Sequence, residues 1–250
     1  MKIKIFITNE EGVTPLPYQN KIVGGFNKIL NILEGSNGRN TIHDSFDVFN
    51  LSNILDTEYD KSSNSVRLIK DKSHFIISHP DINMIKKISD IIVKNKNIFN
   101  GFTVYRLVLS SKSKTNLFIN RFFVNGIILK YDSLDEDYAP NKYYTFTNNP
   151  KKCNSKMKRL VMNKLEMTKE YYKSQNKECP IDFTENDFDI YFDLSYSQKR
   201  VIPEKKSLDD KFFYVKNLCP VIITGHPKIA NFISTVGVGN FTKQGYGRII

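Results

Sequence analysis

The sequence predicts an α+β protein built from two tandem ferredoxin-like (RRM-like) units, residues 1–112 and 113–250, with the second unit degenerate. Three observations lead there. The first half alternates strand and helix periodicities in the order β-α-β-β-α-β. A polar stretch, Ser110-Ser111-Lys112-Ser113-Lys114-Thr115, interrupts the chain near its middle. The second half then sets two helical stretches among further strand-like segments.

Lys2 to Thr8 run Lys-Ile-Lys-Ile-Phe-Ile-Thr, read as the period-two signature of a strand, and Glu10-Glu11-Gly12 turns the chain. Leu16-Pro17-Tyr18 leads into a helix to about Leu33, with Ile22, Phe26, Ile29, Leu30 and Leu33 on one face. Gly24-Gly25 weakens it, because each glycine costs about 1 kcal/mol against alanine in a helix interior. The run from Gly35 to Gly38 ends that helix, and strands are expected around 46–51, 65–70 and 73–78, with a hairpin-like turn at Asp60 to Asn64. Residues 81–94 form an amphipathic helix, apolar at Ile82, Ile85, Ile88, Ile91 and Ile92, and Phe102 to Leu109 is the next strand. Beyond the linker, strands are expected near 118–124, 126–131 and 143–146, a helix over about 153–173, strands over 187–195 and 212–224, a short helix at 227–234 and a closing strand. No internal repeat is visible in the residues themselves.

Composition bounds the function. Thirty-seven basic against 26 acidic residues give a net charge of +11, which favours a polyanionic partner such as nucleic acid. Heavy Asn, Ile and Lys usage is also what an AT-rich coding sequence produces, so charge alone decides little. No apolar run approaches the ~18–20 residues that span a bilayer, and the start lacks the features of a signal peptide, so a cytoplasmic protein without membrane contact is expected. Cys153, Cys179 and Cys219 form no C-x-x-C pair, which argues against both a disulfide framework and a zinc site. No cofactor is expected.

The most informative segment is Gly237-Val238-Gly239-Asn240-Phe241-Thr242-Lys243-Gln244-Gly245-Tyr246-Gly247-Arg248. Two Gly-x-Gly units flank five residues, with a basic residue near each half. Glycine reaches φ > 0 and lets another backbone come close, so exposed amides with Lys243 and Arg248 beside them would cradle phosphate oxygens. The plain alternative is a glycine-bearing turn before a last strand. A dinucleotide fingerprint is excluded, because that motif follows a strand and opens a helix, and a phosphate-binding P-loop needs Gly-Lys-Ser/Thr.

Gly-apolar-Gly, five residues, Gly-aromatic-Gly near the C-terminal end resembles the CRISPR-associated endoribonucleases that process repeat RNA, the Cas-six family of the RAMP superfamily. The preceding segment, from Pro220 through Gly225-His226-Pro227, reads as the family's strand, break and short helix. The opening also fits, with Leu16-Pro17-Tyr18 at the helix entry, Ile42-His43-Asp44 as the turn after it and Phe49-Asn50-Leu51-Ser52 as the next strand. The resemblance implies tandem RAMP domains and repeat RNA as the partner. Other CRISPR effector subunits and a homodimer are further partners that it leaves open.

It also implies the chemistry. RNA is cut without metal when the 2′-OH beside the scissile phosphate attacks in line, leaving a 2′,3′-cyclic phosphate and a 5′-OH. Histidine suits either proton transfer because its unperturbed pKa of ~6.5 lies near working pH. His43 falls where many family members carry their catalytic histidine. Of the other histidines, His74 and His79 sit on or beside a strand and are expected to be structural or solvent-facing, and His226 sits in a turn, where histidine tolerates unusual backbone geometry. The family's best-understood arrangement adds a tyrosine late in the first helix and a lysine after the histidine turn. Here the late-helix positions are Lys28 and Ile29, and Asp44 to Val48 holds no lysine, so Lys28 is the candidate cation, weighed against a merely solvated lysine.

For grip on the RNA backbone, the basic run Lys151, Lys152, Lys156, Lys158 and Arg159 opens the long second-half helix, with Arg121 and Lys130 on neighbouring strands. The same run also reads as a solvated helix face. The loop glycines Gly237, Gly239, Gly245 and Gly247 complete the expected RNA contacts. A competing reading is a non-catalytic RAMP subunit that holds guide RNA; the position of His43 favours the enzyme. An unrelated RNA-recognition module lacks support, since its aromatic strand signature is missing.

Overall fold

The structure, a computed structural model, describes residues 1–16, 18–35, 48–110, 117–131, 142–205 and 213–249. His43 and most of the polar linker after Ser110 lie outside the described residues. The chain forms two compact units, Met1–Lys112 with Lys243–Gly245, and Ser113–Thr242 with Tyr246–Ile250.

The first unit contains β1 (Lys2–Thr8), β2 (Val13–Pro15), α1 (Gln19–Glu34), β3 (Asn50–Leu51), β4 (Thr57–Asp60), β5 (Ser65–Leu68), β6 (His74–Ser78), α2 (Ile82–Lys94) and β7 (Thr103–Ser110). Its main sheet runs β3-β6-β1-β7, and every pairing is antiparallel. That is the ferredoxin-like order, in which the first and third core strands lie central and the crossover helices cover one face. The alternation read in β1 holds in its first half, where Ile3 and Ile5 are buried around the exposed Lys4, whereas Phe6 and Ile7 are both buried. Ile3, Ile5 and Ile7 meet the buried stripes of α1 (Ile22, Phe26, Ile29, Leu30) and α2 (Met84, Ile85, Ile88, Ile92). Asp81 caps α2 by accepting from the Asn83 amide at 2.8 Å. A second small sheet, β2-β5-β4, carries the expected turn after Asp60. The short β2 was not legible, because three residues show no periodicity.

Gly25 explains why α1 tolerates its glycine pair. A Cβ there would overlap the Phe99 ring and approach the Phe99 Cα to 2.8 Å, so the helix needs glycine to pack on residues 98–99. Gly24 has nothing comparable within 4 Å.

The second unit contains β8 (Ile119–Phe122), α3 (Pro150–Ser174), β9 (Phe188–Phe192), β10 (Arg200–Lys205), β11 (Phe213–Leu218), β12 (Val221–Gly225) and α4 (Pro227–Val236). Its sheet is β8-β12-β9, again antiparallel. The closing strand is reduced to one bridge, Ile249 to Val124 beside β8, which restores the same order in residual form. The fold is therefore α+β with tandem ferredoxin-like units, the second degenerate. Expected strands at 126–131 and 143–146 make only isolated bridges, Ile127 to Asn217, Ile128 to Asn240 and Lys130 to Tyr143. The single strand expected over 212–224 breaks at Cys219-Pro220, since proline cannot donate to a ladder, and its first part instead forms a hairpin with the unanticipated β10.

Candidate RNA interface

The glycine-rich segment starts where α4 stops. Gly237 takes φ 76° and its amide returns to the Ile233 carbonyl at 2.8 Å, closing the last turn. The following residues are tied down amide by amide. Val238 N–H donates to the Gly247 carbonyl at 2.8 Å, Asn240 N–H to Ile128 at 2.8 Å and Gly247 N–H to Gly126 at 2.9 Å. The Asn240 side chain accepts from the Lys130 amide at 2.9 Å. Gly239, at φ 88°, would bring a Cβ within 2.7 Å of the Ile128 carbonyl, and a Cβ on Gly247 would run into the Val238 carbonyl. Close backbone approach is thus the reason for these two glycines. The partner they approach is the protein's own chain: these amides are satisfied internally rather than presented as a free phosphate cradle.

Two basic residues of the predicted grip are also inside. Arg248 is 2% exposed, and burial lowers its pKa to about 10, which leaves it cationic at neutral pH. Lys156 is equally buried. Neither side chain faces solvent, so their charges act on the fold. Lys158 is half-buried and binds the Asp189 carboxylate at 2.9 Å, with its ammonium 5.4 Å from the Phe188 ring centre. Lys151, Lys152 and Arg159 are exposed along the first turns of α3, and Lys243 is half-exposed. Gly245, at φ 95°, belongs with the first unit, where a Cβ would meet the Gln19 and Asn53 side chains at 2.6 and 2.7 Å. Lys28 lies on the exposed side of α1 and donates to Asn100 Oδ1 at 2.7 Å. Arg121 is held by Asp193, Nε to Oδ2 at 2.6 Å.

One residue that composition hides organises the segment. Lys164 is 5% exposed, and its ammonium donates to the Val236 and Gly237 carbonyls at 3.0 and 3.1 Å and to Thr242 Oγ1 at 3.2 Å. It caps the C-terminus of α4 with a full charge, where the helix dipole favours a cation, and pins the segment beyond. The signal was present in the sequence: Met157, Val161, Lys164, Leu165 and Thr168 form one buried helical stripe, and a lysine on such a stripe needs buried acceptors.

The three other histidines have backbone duties. His226 Nδ1 accepts from the Lys228 amide as the N-cap of α4, His79 Nδ1 accepts from the Asp81 amide, and His74 Nδ1 lies 2.8 Å from the Lys72 carbonyl. All three cysteines are free thiols, and burial pushes Cys153 up to about 12 and Cys219 to about 11. Among the described residues no three His, Cys, Asp or Glu side chains come together as a metal-binding group, and no helix is long and apolar enough to cross a membrane.

Comparison with known proteins places this architecture. Residues 127–249 match the family model for the C-terminal part of the CRISPR-associated protein Cas6. Among solved structures, one described as a RAMP protein binding different RNA substrates shares 14% identity, with a TM-score of 0.69 over 99% of this chain and 97% of that one. A Cas6-related protein from Pyrococcus furiosus is 17% identical with a TM-score of 0.68, covering 100% of this chain and 97% of its own. A CRISPR-associated protein Cas6 is 18% identical, also at 0.68, over 100% and 98%. No curated protein matches the chain in sequence. Residues 127–249 are thus similar to the C-terminal part of Cas6, and along its whole length the chain has the fold of the solved RAMP and Cas6-related structures.

Proposed function

We propose that this protein is a metal-independent endoribonuclease that cuts CRISPR repeat RNA into guide RNA. The observation that carries the reading is the Cas6 family match over residues 127–249, which takes in α3, β9, β12, α4 and the whole glycine-rich segment. Similar folds are recorded for a RAMP protein binding RNA and for a Cas6 product complex, the latter at a TM-score of 0.54 and 12% identity. The net charge of +11 suits the same partner.

In the proposed reaction the 2′ oxygen attacks the adjacent phosphorus as its proton passes to a base. The P–O5′ bond breaks, the leaving 5′ oxygen takes a proton from an acid, and a 2′,3′-cyclic phosphate remains. His43, between α1 and β3 in sequence, is the proposed general acid or base. Such positioned proton transfer contributes ~10²–10⁴-fold, so alignment of the RNA must supply much of the rest. Lys28 is the proposed cation for the phosphorane. Its present partner is the neutral Asn100 amide, a weaker acceptor than a phosphate oxygen. Lys151, Lys152, Arg159 and Lys243 are the proposed backbone contacts, with the glycines 237, 239, 245 and 247 shaping the segment that carries Lys243. Lys156 and Arg248 are buried and Lys158 is held by Asp189, so these three are left out of the proposed contacts.

Single-turnover cleavage of a synthetic repeat RNA in excess EDTA tests the reading. Cleavage is expected to persist, to end in a cyclic phosphate and to vanish when the scissile nucleotide lacks its 2′-OH. His43→Ala should slow it by ~10²-fold or more while repeat binding stays intact. Strict dependence on Mg²⁺ overturns the mechanism. Tight repeat binding without any cleavage would point instead to a subunit that holds guide RNA.

A further inference from the structure

A cleft lies at the end of the second unit's sheet where β8 and β9 stop and β12 starts. Strand alternation turns Asn120 and Phe122 into the core and leaves Ile119, Arg121 and Phe123 outside, with Phe123 51% exposed. Next to Phe123 stands Tyr196, with ring centres 5.7 Å apart and planes at 80°. The Arg121 guanidinium lies 5.4 Å from the Tyr196 ring centre and 5.7 Å from that of Phe123. These rings border a cleft of about 520 Å³, which Lys199 and Arg200 complete on its exposed rim. No carboxylate is among the described residues lining it.

The cleft is built rather than incidental. Asp193 holds Arg121 through its Oδ2 and receives the amide and hydroxyl of Ser195 on its Oδ1. Its carbonyl takes the Tyr196 amide at 3.1 Å, and its own amide is anchored to the Pro220 carbonyl at 2.8 Å. One buried carboxylate thus sets both the cation and the turn that presents the tyrosine. Preorganised aromatics with adjacent guanidinium and ammonium groups are what splayed nucleobases and their phosphates need: stacking on the rings is indifferent to sequence, and the cations fix the backbone. A protein ligand would gain nothing from a rim with only positive charge unless it were acidic, whereas RNA supplies both a flat base and a phosphate at every residue.

We propose that Phe123 and Tyr196 stack an unpaired nucleobase of a bound RNA, with Lys199 and Arg200 on its flanking phosphates. The proposal rests on the RNA-binding reading and deepens it by assigning a single-stranded segment to this face. The test uses full-length protein and repeat RNA carrying 4-thiouridine at successive positions. Irradiation should link one or a few adjacent positions to the peptide containing Phe123 or Tyr196. The double variant Phe123→Ala/Tyr196→Ala should bind the repeat roughly ten- to a hundred-fold more weakly with an unchanged thermal melt. Lys199→Ala/Arg200→Ala should flatten the salt dependence of binding by roughly two units. RNA with an abasic nucleotide at the linked position should bind wild type weakly, and the double variant no worse than intact RNA does. If wild type binds the repeat but neither links through these residues nor responds to their removal, the cleft assignment is overturned and RNA binding stands. If wild type binds no repeat RNA, both readings fall.

Discussion

His79 has moved far from the behaviour its residue type suggests. It is fully buried against Phe49, with ring centres 4.4 Å apart, and burial lowers its pKa to about 4. Asp81 opposes that shift and the N-terminal ammonium adds to it, so desolvation dominates. The unfolded chain binds a proton near pH 6.5 and the folded chain only near pH 4, so the unfolded state gains protons first as the solution is acidified. Stability should therefore be complete above about pH 6.5 and fall by on the order of 3 kcal/mol as the pH drops toward 4. His79→Asn keeps a side-chain acceptor for the Asp81 amide and has no proton to gain. Denaturant unfolding between pH 7 and 4 should show a shallower loss for the variant than for wild type. Equal slopes would remove His79 as the cause.

At the scale of the element, α1 holds two adjacent glycines with opposite meanings. Gly24 sits where a Cβ meets nothing, so Gly24→Ala should stabilise the helix by up to about 1 kcal/mol. Gly25 is pressed on Phe99, so Gly25→Ala must displace a buried ring and backbone, at a cost of about 1–3 kcal/mol. Unfolding curves of the two variants should bracket wild type; a destabilising Gly24→Ala or a neutral Gly25→Ala would contradict the packing described. The same contrast governs the glycine-rich segment, where Gly239 and Gly247 fit against backbone and Gly245 against side chains, while Lys164 caps the helix that leads into it. A glycine pattern alone does not say whether the close neighbour is a ligand or the chain itself.

For the whole molecule, the positive charge is the property that bears most on function, but it is not spread evenly between surface and interior. Lys156, Lys164 and Arg248 are buried, whereas Lys151, Lys152 and Arg159 are exposed on α3. Counterion release counts only the cations that reach phosphate. Lys151→Ala/Lys152→Ala should thus reduce the slope of log affinity against log salt by roughly two units with little change in stability, as measured by titration of repeat RNA at several salt concentrations. An unchanged slope would place the RNA backbone elsewhere.

The residues themselves were enough for the fold class, the order of the first unit's core strands, the long helices and the family resemblance, because the alternation that opens β1 and the helical stripes in α1, α2 and α3 are local consequences of backbone period. They also marked Gly237 to Gly247 as a constrained segment. Where that constraint points was decided only by tertiary structure: Ile128, Gly126 and Val238, far apart or adjacent in sequence, are the groups the glycines meet. The same holds for the cleft, since Phe123 and Tyr196 are 5.7 Å apart through a sheet that pairs β8 with β12 and β12 with β9. Periodicity reports which face a residue occupies, but not which distant residue shares it, and burial of a cation depends on partners that only the folded chain brings within reach.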